Sequence, residues 1–108
     1  MDPEAAVRTY YDALDAGAYD DLEAALAPEF VQYRPDRALV GREAFVRFMR
    51  EDRPNRETKH DVRDVLVDGE RAVARGVLLD SGGGELFAFA DVFDLEDGRL
   101  ARLETYTR

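Results

Sequence analysis

No cysteine occurs among the 108 residues. That excludes a disulfide scaffold, a thiol nucleophile and any thiolate metal site. Histidine occurs once, at His60, so HxxH and HExxH zinc patterns are absent and no metal is expected. No GxGxxG or GxxxxGK loop is present; Gly82, Gly83 and Gly84 are followed by Glu85 and read as a flexible turn, so no cofactor is expected. No apolar run approaches the roughly 18 residues of a membrane span. The opening MDPEAAV is acidic and lacks an apolar signal core, which points to the cytoplasm.

What is present is acid. The formal net charge is -9, and a surface of that sign repels a phosphate backbone, so nucleic acid is not expected as a partner. Arg47, Arg50, Arg53 and Arg56 form a basic stretch, but Glu51, Asp52 and Glu57 neutralise it into a solvated face. Lys59 is the only lysine, and the other fourteen basic residues are arginines. Many acids with arginine but hardly any lysine resemble the composition of a halophilic archaeon's protein. Hydrophobic residues make up 45%, enough for a core, and the length fits one domain over residues 1–108.

Asp2 and Pro3 open a first helix as N-cap and first-turn proline, and Ala6, Val7, Tyr10, Tyr11 and Leu14 follow at helical spacing up to Gly17. Asp20 or Asp21 caps a short second helix carrying Leu22, Ala25 and Leu26, and Pro28 closes it or begins the next turn. Phe30, Val31 and Tyr33 are extended, and Arg34 to Gly41 is a loop. Ala44, Phe45, Phe48 and Met49 mark a third helix. Strands take over after Pro54 and Asn55: one from about Thr58 to Val67, then turns at Asp68-Gly69, Ser81 to Gly84 and Asp97-Gly98 between three more. Helices first and antiparallel strands later indicate an α+β domain.

In LFAFADVFDL, Phe87, Phe89, Phe93 and Leu95 share one parity with Asp91, while Leu86, Ala88, Ala90 and Val92 share the other. Both faces are apolar and both need cover. Helices supply one; for the other, a homodimer through the outer sheet face is expected. Asp91 itself is a carboxylate inside an apolar strand, which is costly unless it is hydrogen-bonded, paired or protonated.

The order DALDAGAYDDLEAALAPEFV, LVGREAFVRFM, VDGERAVARG and ADVFDLEDGRLARLETY resembles the SnoaL-like branch of the NTF2-like superfamily, over about Val7 to Tyr106. The resemblance implies a cone of three N-terminal helices packed on a strongly curved, mostly antiparallel sheet around a ligand hollow, commonly dimeric. It includes polyketide cyclases, ketosteroid isomerases, epoxide hydrolases and dehydratases, alongside adaptors and binding domains, so fold does not select function.

On that resemblance Asp91 matches the aspartic acid of an isomerase oxyanion hole, and Tyr10 the tyrosine that completes it. Kept neutral by burial, Asp91 donates to an oxyanion. The isomerase base is missing: FVQYRP carries no carboxylate, and Tyr33 or Gln32 falls nearest. Asp61 and Asp64 enter a site only if the register turns them inward. His60 is the natural general base near neutral pH, and relatives pair such a histidine with an aspartate, here Asp91. Arg75, sharing parity with Val73, Val77 and Leu79, needs a partner if buried, either Asp91 or an anionic ligand. Tyr33, Phe45, Met49, Phe87, Phe89, Phe93 and Leu103 are expected to line the pocket or fill the core.

Three readings stand at this level. One is a cofactor-independent isomerase, cyclase or lyase on a small apolar carbonyl or polyketide-like compound, with Asp91, His60 and Tyr10 catalytic and Arg75 binding substrate. Another is a non-catalytic ligand-binding or accessory domain. The third is a structural dimer whose cone is filled by phenylalanines.

Overall fold

The computed structural model describes residues 2–53 and 55–108, so Pro54, read above as a boundary, lies outside the described residues. The elements run α1 (Pro3–Ala16), α2 (Tyr19–Ala25), β1 (Leu26–Tyr33), β2 (Ala38–Val40), α3 (Arg42–Arg47), a π-helical turn over Phe48–Asp52, β3 (Lys59–Asp68), β4 (Arg71–Leu79), β5 (Glu85–Glu96) and β6 (Arg99–Thr107). Helix α1 starts as its sequence predicts, with the Asp2 carboxylate accepting from the Ala5 N–H at 2.9 Å. It ends at Gly17, whose φ of 67° places it in the left-handed region that glycine enters freely. Helix α2 differs from expectation: Ala18 occupies the N-cap position without a side-chain bond, and Asp20 and Asp21 lie in the first turn. It also stops at Ala25, because Pro28 biases Ala27 toward extended geometry, and Leu26 already belongs to β1.

The six strands form one sheet in the order β2-β1-β6-β5-β4-β3. Four of them, β3 to β6, form a plain antiparallel meander, and β1 runs parallel to β6 and antiparallel to β2. The sheet is mostly antiparallel as expected, with one parallel pairing, but the expected cone with strong curvature is corrected: the sheet is open and not strongly curved. The physical reason is the insertion of β1 beside the last strand, which leaves β2 and β3 as separate, unpaired edges. The α+β class stands, with helices packed on one face.

The inner face carries Ala72, Ala74, Phe89, Phe93, Leu95, Leu100 and Leu103 into the core with Val7, Tyr11 and Leu14 of α1 and Phe45 of α3. A bulge in β3 between Val62 and Asp64 switches which residues face inward. His60 and Val62 pair with Leu78 and Gly76, whereas Asp61 and Asp64 pair with Val77 and Arg75 on the outer face. Gly76 is required there, since a Cβ would run into the Asp61 backbone carbonyl. The outer face holds the ion pairs Arg75–Asp64, Arg71–Asp94 and Arg102–Glu104 among half-buried Val73, Ala88, Ala90 and Val92. Among the described residues no helix is long and apolar enough to cross a membrane.

Candidate functional site

Asp91 sits mid-strand on the inner face of β5, between Ala74 of β4 and Thr105 of β6, and is 4% exposed. Its Oδ2 accepts a hydrogen bond from the Tyr11 hydroxyl at 2.5 Å. Its Oδ1 is buried with no hydrogen-bond partner. Burial raises the carboxyl above the usual carboxylate range, against the Tyr11 bond, the facing Thr105 hydroxyl and the charge of Arg34. Burial also pushes the Tyr11 phenol up, and the adjoining Asp91 charge and bond push it further, so Tyr11 keeps its proton and acts as donor.

His60 opens β3, and both of its nitrogen contacts go to one carboxylate. Its ring Nδ1 lies 2.7 Å from Asp15 Oδ1, and its backbone N–H donates to Asp15 Oδ2 at 3.0 Å. Asp15 belongs to the last turn of α1, where the helix dipole disfavours an anion, so the carboxylate gains doubly from this N–H pair. The bond to Nδ1 selects the tautomer with the proton on that nitrogen and leaves Nε2 as the basic one. The ring packs against Tyr11, 5.1 Å between centroids, and edge-on to Phe89 at 5.5 Å.

Between α1, the π-helical turn and the inner sheet face lies a cavity of about 280 Å³. Asp91, His60, Tyr10, Gln32, Arg34 and Arg53 give it polar groups; Met49, Phe87 and Phe89 are part of its apolar wall. Tyr10 stacks on Phe45 and meets Phe93 edge-on. Its phenol is raised by burial and by the Asp91 charge, opposed by the charges of Arg34 and Arg53. Gln32, on β1, donates from Nε2 to Thr105 Oγ1 at 2.9 Å, while its Oε1 has no partner. Four described side-chain atoms are buried without a partner: Gln32 Oε1, Arg34 Nε, Arg53 Nε and Asp91 Oδ1. All four residues line this one cavity.

Of the residues singled out from the sequence, Asp91, His60, Tyr10, Met49, Phe87 and Phe89 meet here. Arg75 does not: it is exposed on the outer face and bonds Asp64 at 2.5 Å. Nor do Asp91 and Arg75 pair, because adjacent strands turn them to opposite faces. Tyr33 is exposed under the Arg102 guanidinium, and Phe45, Phe93 and Leu103 are core. The anticipated His60–Asp91 bond is replaced by His60–Asp15, and Asp91 takes Tyr11 rather than Tyr10. Sequence reasoning missed Asp15, Tyr11, Thr105, Arg34 and Arg53. Asp15 had a signal in its unfavourable place at a helix C-terminus, whereas the arginines had none. Among the described residues no group of three or more His, Cys, Asp or Glu side chains is placed to hold a metal ion.

Residues 7–103 match the model of the SnoaL-like domain family. The chain belongs to that family. Solved structures share the fold of this SnoaL-like domain. An NTF2-like protein of unknown function from Cytophaga hutchinsonii superposes with a TM-score of 0.86 at 18% identity, over 100% of this chain and 91% of the other. A candidate polyketide cyclase from Sinorhizobium meliloti gives 0.82 at 25%, over 94% of each chain. A candidate ketosteroid isomerase from Kribbella flavida gives 0.85 at 24%, over 96% of this chain and 76% of that one. No curated protein matches the SnoaL-like domain described here.

Proposed function

We propose that this domain is a cofactor-independent acid–base catalyst, an isomerase, cyclase or lyase acting on a small apolar carbonyl compound. The observation that supports this reading is the convergence of the Asp15-bound His60 and the half-bonded, buried Asp91 on one apolar cavity. His60 Nε2 takes a proton from the carbon beside the carbonyl, and Asp15 stabilises the imidazolium so formed. The electron pair moves onto the carbonyl oxygen, which receives a hydrogen bond from protonated Asp91 Oδ1. Tyr11 fixes the other carboxyl oxygen. The enolate then regains the proton at another carbon, attacks a second carbonyl of the same molecule, or expels a leaving group.

The test is hydrogen–deuterium exchange of β-tetralone, an apolar enolisable ketone, followed by NMR in deuterated buffer. Wild type should exchange it faster than buffer, and His60→Gln should lose about 100-fold or more of that excess. Exchange at the buffer rate in wild type, or an unaffected His60→Gln, defeats the catalytic reading. One observation favours a non-catalytic binding domain instead: Asp91 Oδ2 is already satisfied by the protein. In that case the ketone binds without exchanging. The same proposal includes a homodimer through the outer face, supported by Leu66 and Tyr106, which are 68% and 54% exposed there.

A further inference from the structure

The polar groups of the cavity are not spread evenly in charge. Asp91 and Gln32 lie on neighbouring inner-face positions of β5 and β1, separated by Thr105 and Leu103 of β6. Arg34 follows the end of β1 and Arg53 follows the π-helical turn, so both reach the cavity from its rim. Each buries an Nε that has no hydrogen-bond partner. The nearest carboxylate recorded for Arg34 is the exposed Asp36, 3.7 Å from Nε, too long for a hydrogen bond. Arg53 has no ion pair among those of the described residues. Both arginines line the cavity that Tyr10 also lines, and both charges oppose the rise of its phenol.

Two guanidiniums lining one cavity, each with a buried, unused Nε donor, are costly unless something anionic completes them. The rest of the molecule offers a reason why they are left open. With a net charge of -9, the chain has carboxylates in excess, yet none is folded onto these two Nε atoms. A planar carboxylate matches the guanidinium fork and would satisfy both arginines at once. We infer that the cavity takes a small apolar carbonyl compound that also carries a carboxylate, its anionic end held by Arg34 and Arg53 and its carbonyl end at Asp91 and His60. This rests on the site reading proposed above and adds the charge of the substrate to it. The volume of about 280 Å³ limits the ligand to a compact body, of the order of one aromatic ring with a short acidic arm. The acidic surface repels anions in general, so local complementarity, not steering, selects the ligand.

The probes are β-benzoylpropionate, an aryl ketone with a carboxylate, and its neutral primary amide, titrated into the full chain at fixed ionic strength. Dissociation constants come from NMR, with the Nε–H resonances of Arg34 and Arg53 followed in nitrogen-labelled protein. The acid should bind at least about tenfold more tightly than the amide and shift both Nε–H resonances. Arg34→Gln and Arg53→Gln should each weaken acid binding more than amide binding and so shrink that preference toward parity, and Arg53→Lys should recover part of it. Circular dichroism checks that each variant folds. Amide binding equal to acid binding, or a preference that survives both substitutions, overturns the carboxylate inference but leaves the cavity reading intact. Failure of both probes to bind overturns the two together. Exchange of β-tetralone without any acid preference separates catalysis from charge selection.

Discussion

Asp91 is the residue on which the site turns, because its two oxygens have different fates. One is bonded to Tyr11, and the other is buried with no hydrogen-bond partner. Burial raises its carboxyl pKa in the folded chain, whereas an unfolded chain has the ordinary value. In the window between those values the native state holds more protons than the unfolded state, so stability falls as pH rises through it. Above the window the full cost is present; below the ordinary value, about 3.9, there is none. Asp91→Asn removes that cost while keeping the shape. It should melt above wild type at pH 7. The gain should shrink as pH is lowered toward about 4. Parallel melting curves of the two proteins across pH check this, and an Asp91→Asn variant less stable than wild type at pH 7 counts against a buried, strained carboxyl.

Among the elements, β3 decides whether His60 faces the cavity. Its bulge reverses the facing of residues on either side, and Gly76 of β4 leaves the space that the bulged backbone occupies. Gly76→Ala should therefore cost about 1–3 kcal/mol in urea unfolding, the range for overpacking. Gly82→Ala, in the turn after β4, keeps the N–H that bonds Asp80 and should change stability by less than about 0.5 kcal/mol. Equal midpoints for the two variants would remove the steric role of Gly76. What could be read beforehand was what is coded locally. Asp2, Pro3 and Gly17 delimit α1, and Asp68-Gly69 and Asp97-Gly98 mark two hairpins where the structure has them. The parity of Asp91 with Phe89 and Phe93 told which way it points. The parallel β1–β6 pairing, the openness of the sheet and the Asp15–His60 bond were not legible, since each joins distant segments and leaves no periodicity in either. The bulge hid the facing of Asp64 for a related reason: one extra residue breaks the count of two on which parity depends.

At the scale of the whole molecule, acidity and the outer face pull against each other. A homodimer through that face would bury Leu66 and Tyr106, but two chains of charge -9 repel at low salt. Sedimentation at about 1 M salt, where the Debye length is only ~3 Å, should give a dimer mass, and the Leu66→Asp, Tyr106→Asp double variant should run as a folded monomer. A wild-type monomer under those conditions would end the dimer proposal. The sheet order has a different consequence, for birth rather than assembly. Strands β3 to β6 follow one another as neighbours, so they can pair as they are made. The segment from α1 to α3 emerges earlier, but β1 has only the three-residue β2 beside it until β6 arrives. During vectorial synthesis one edge of β1 must therefore wait, unpaired, for β6 to be made. Chaperone demand should peak just before that moment.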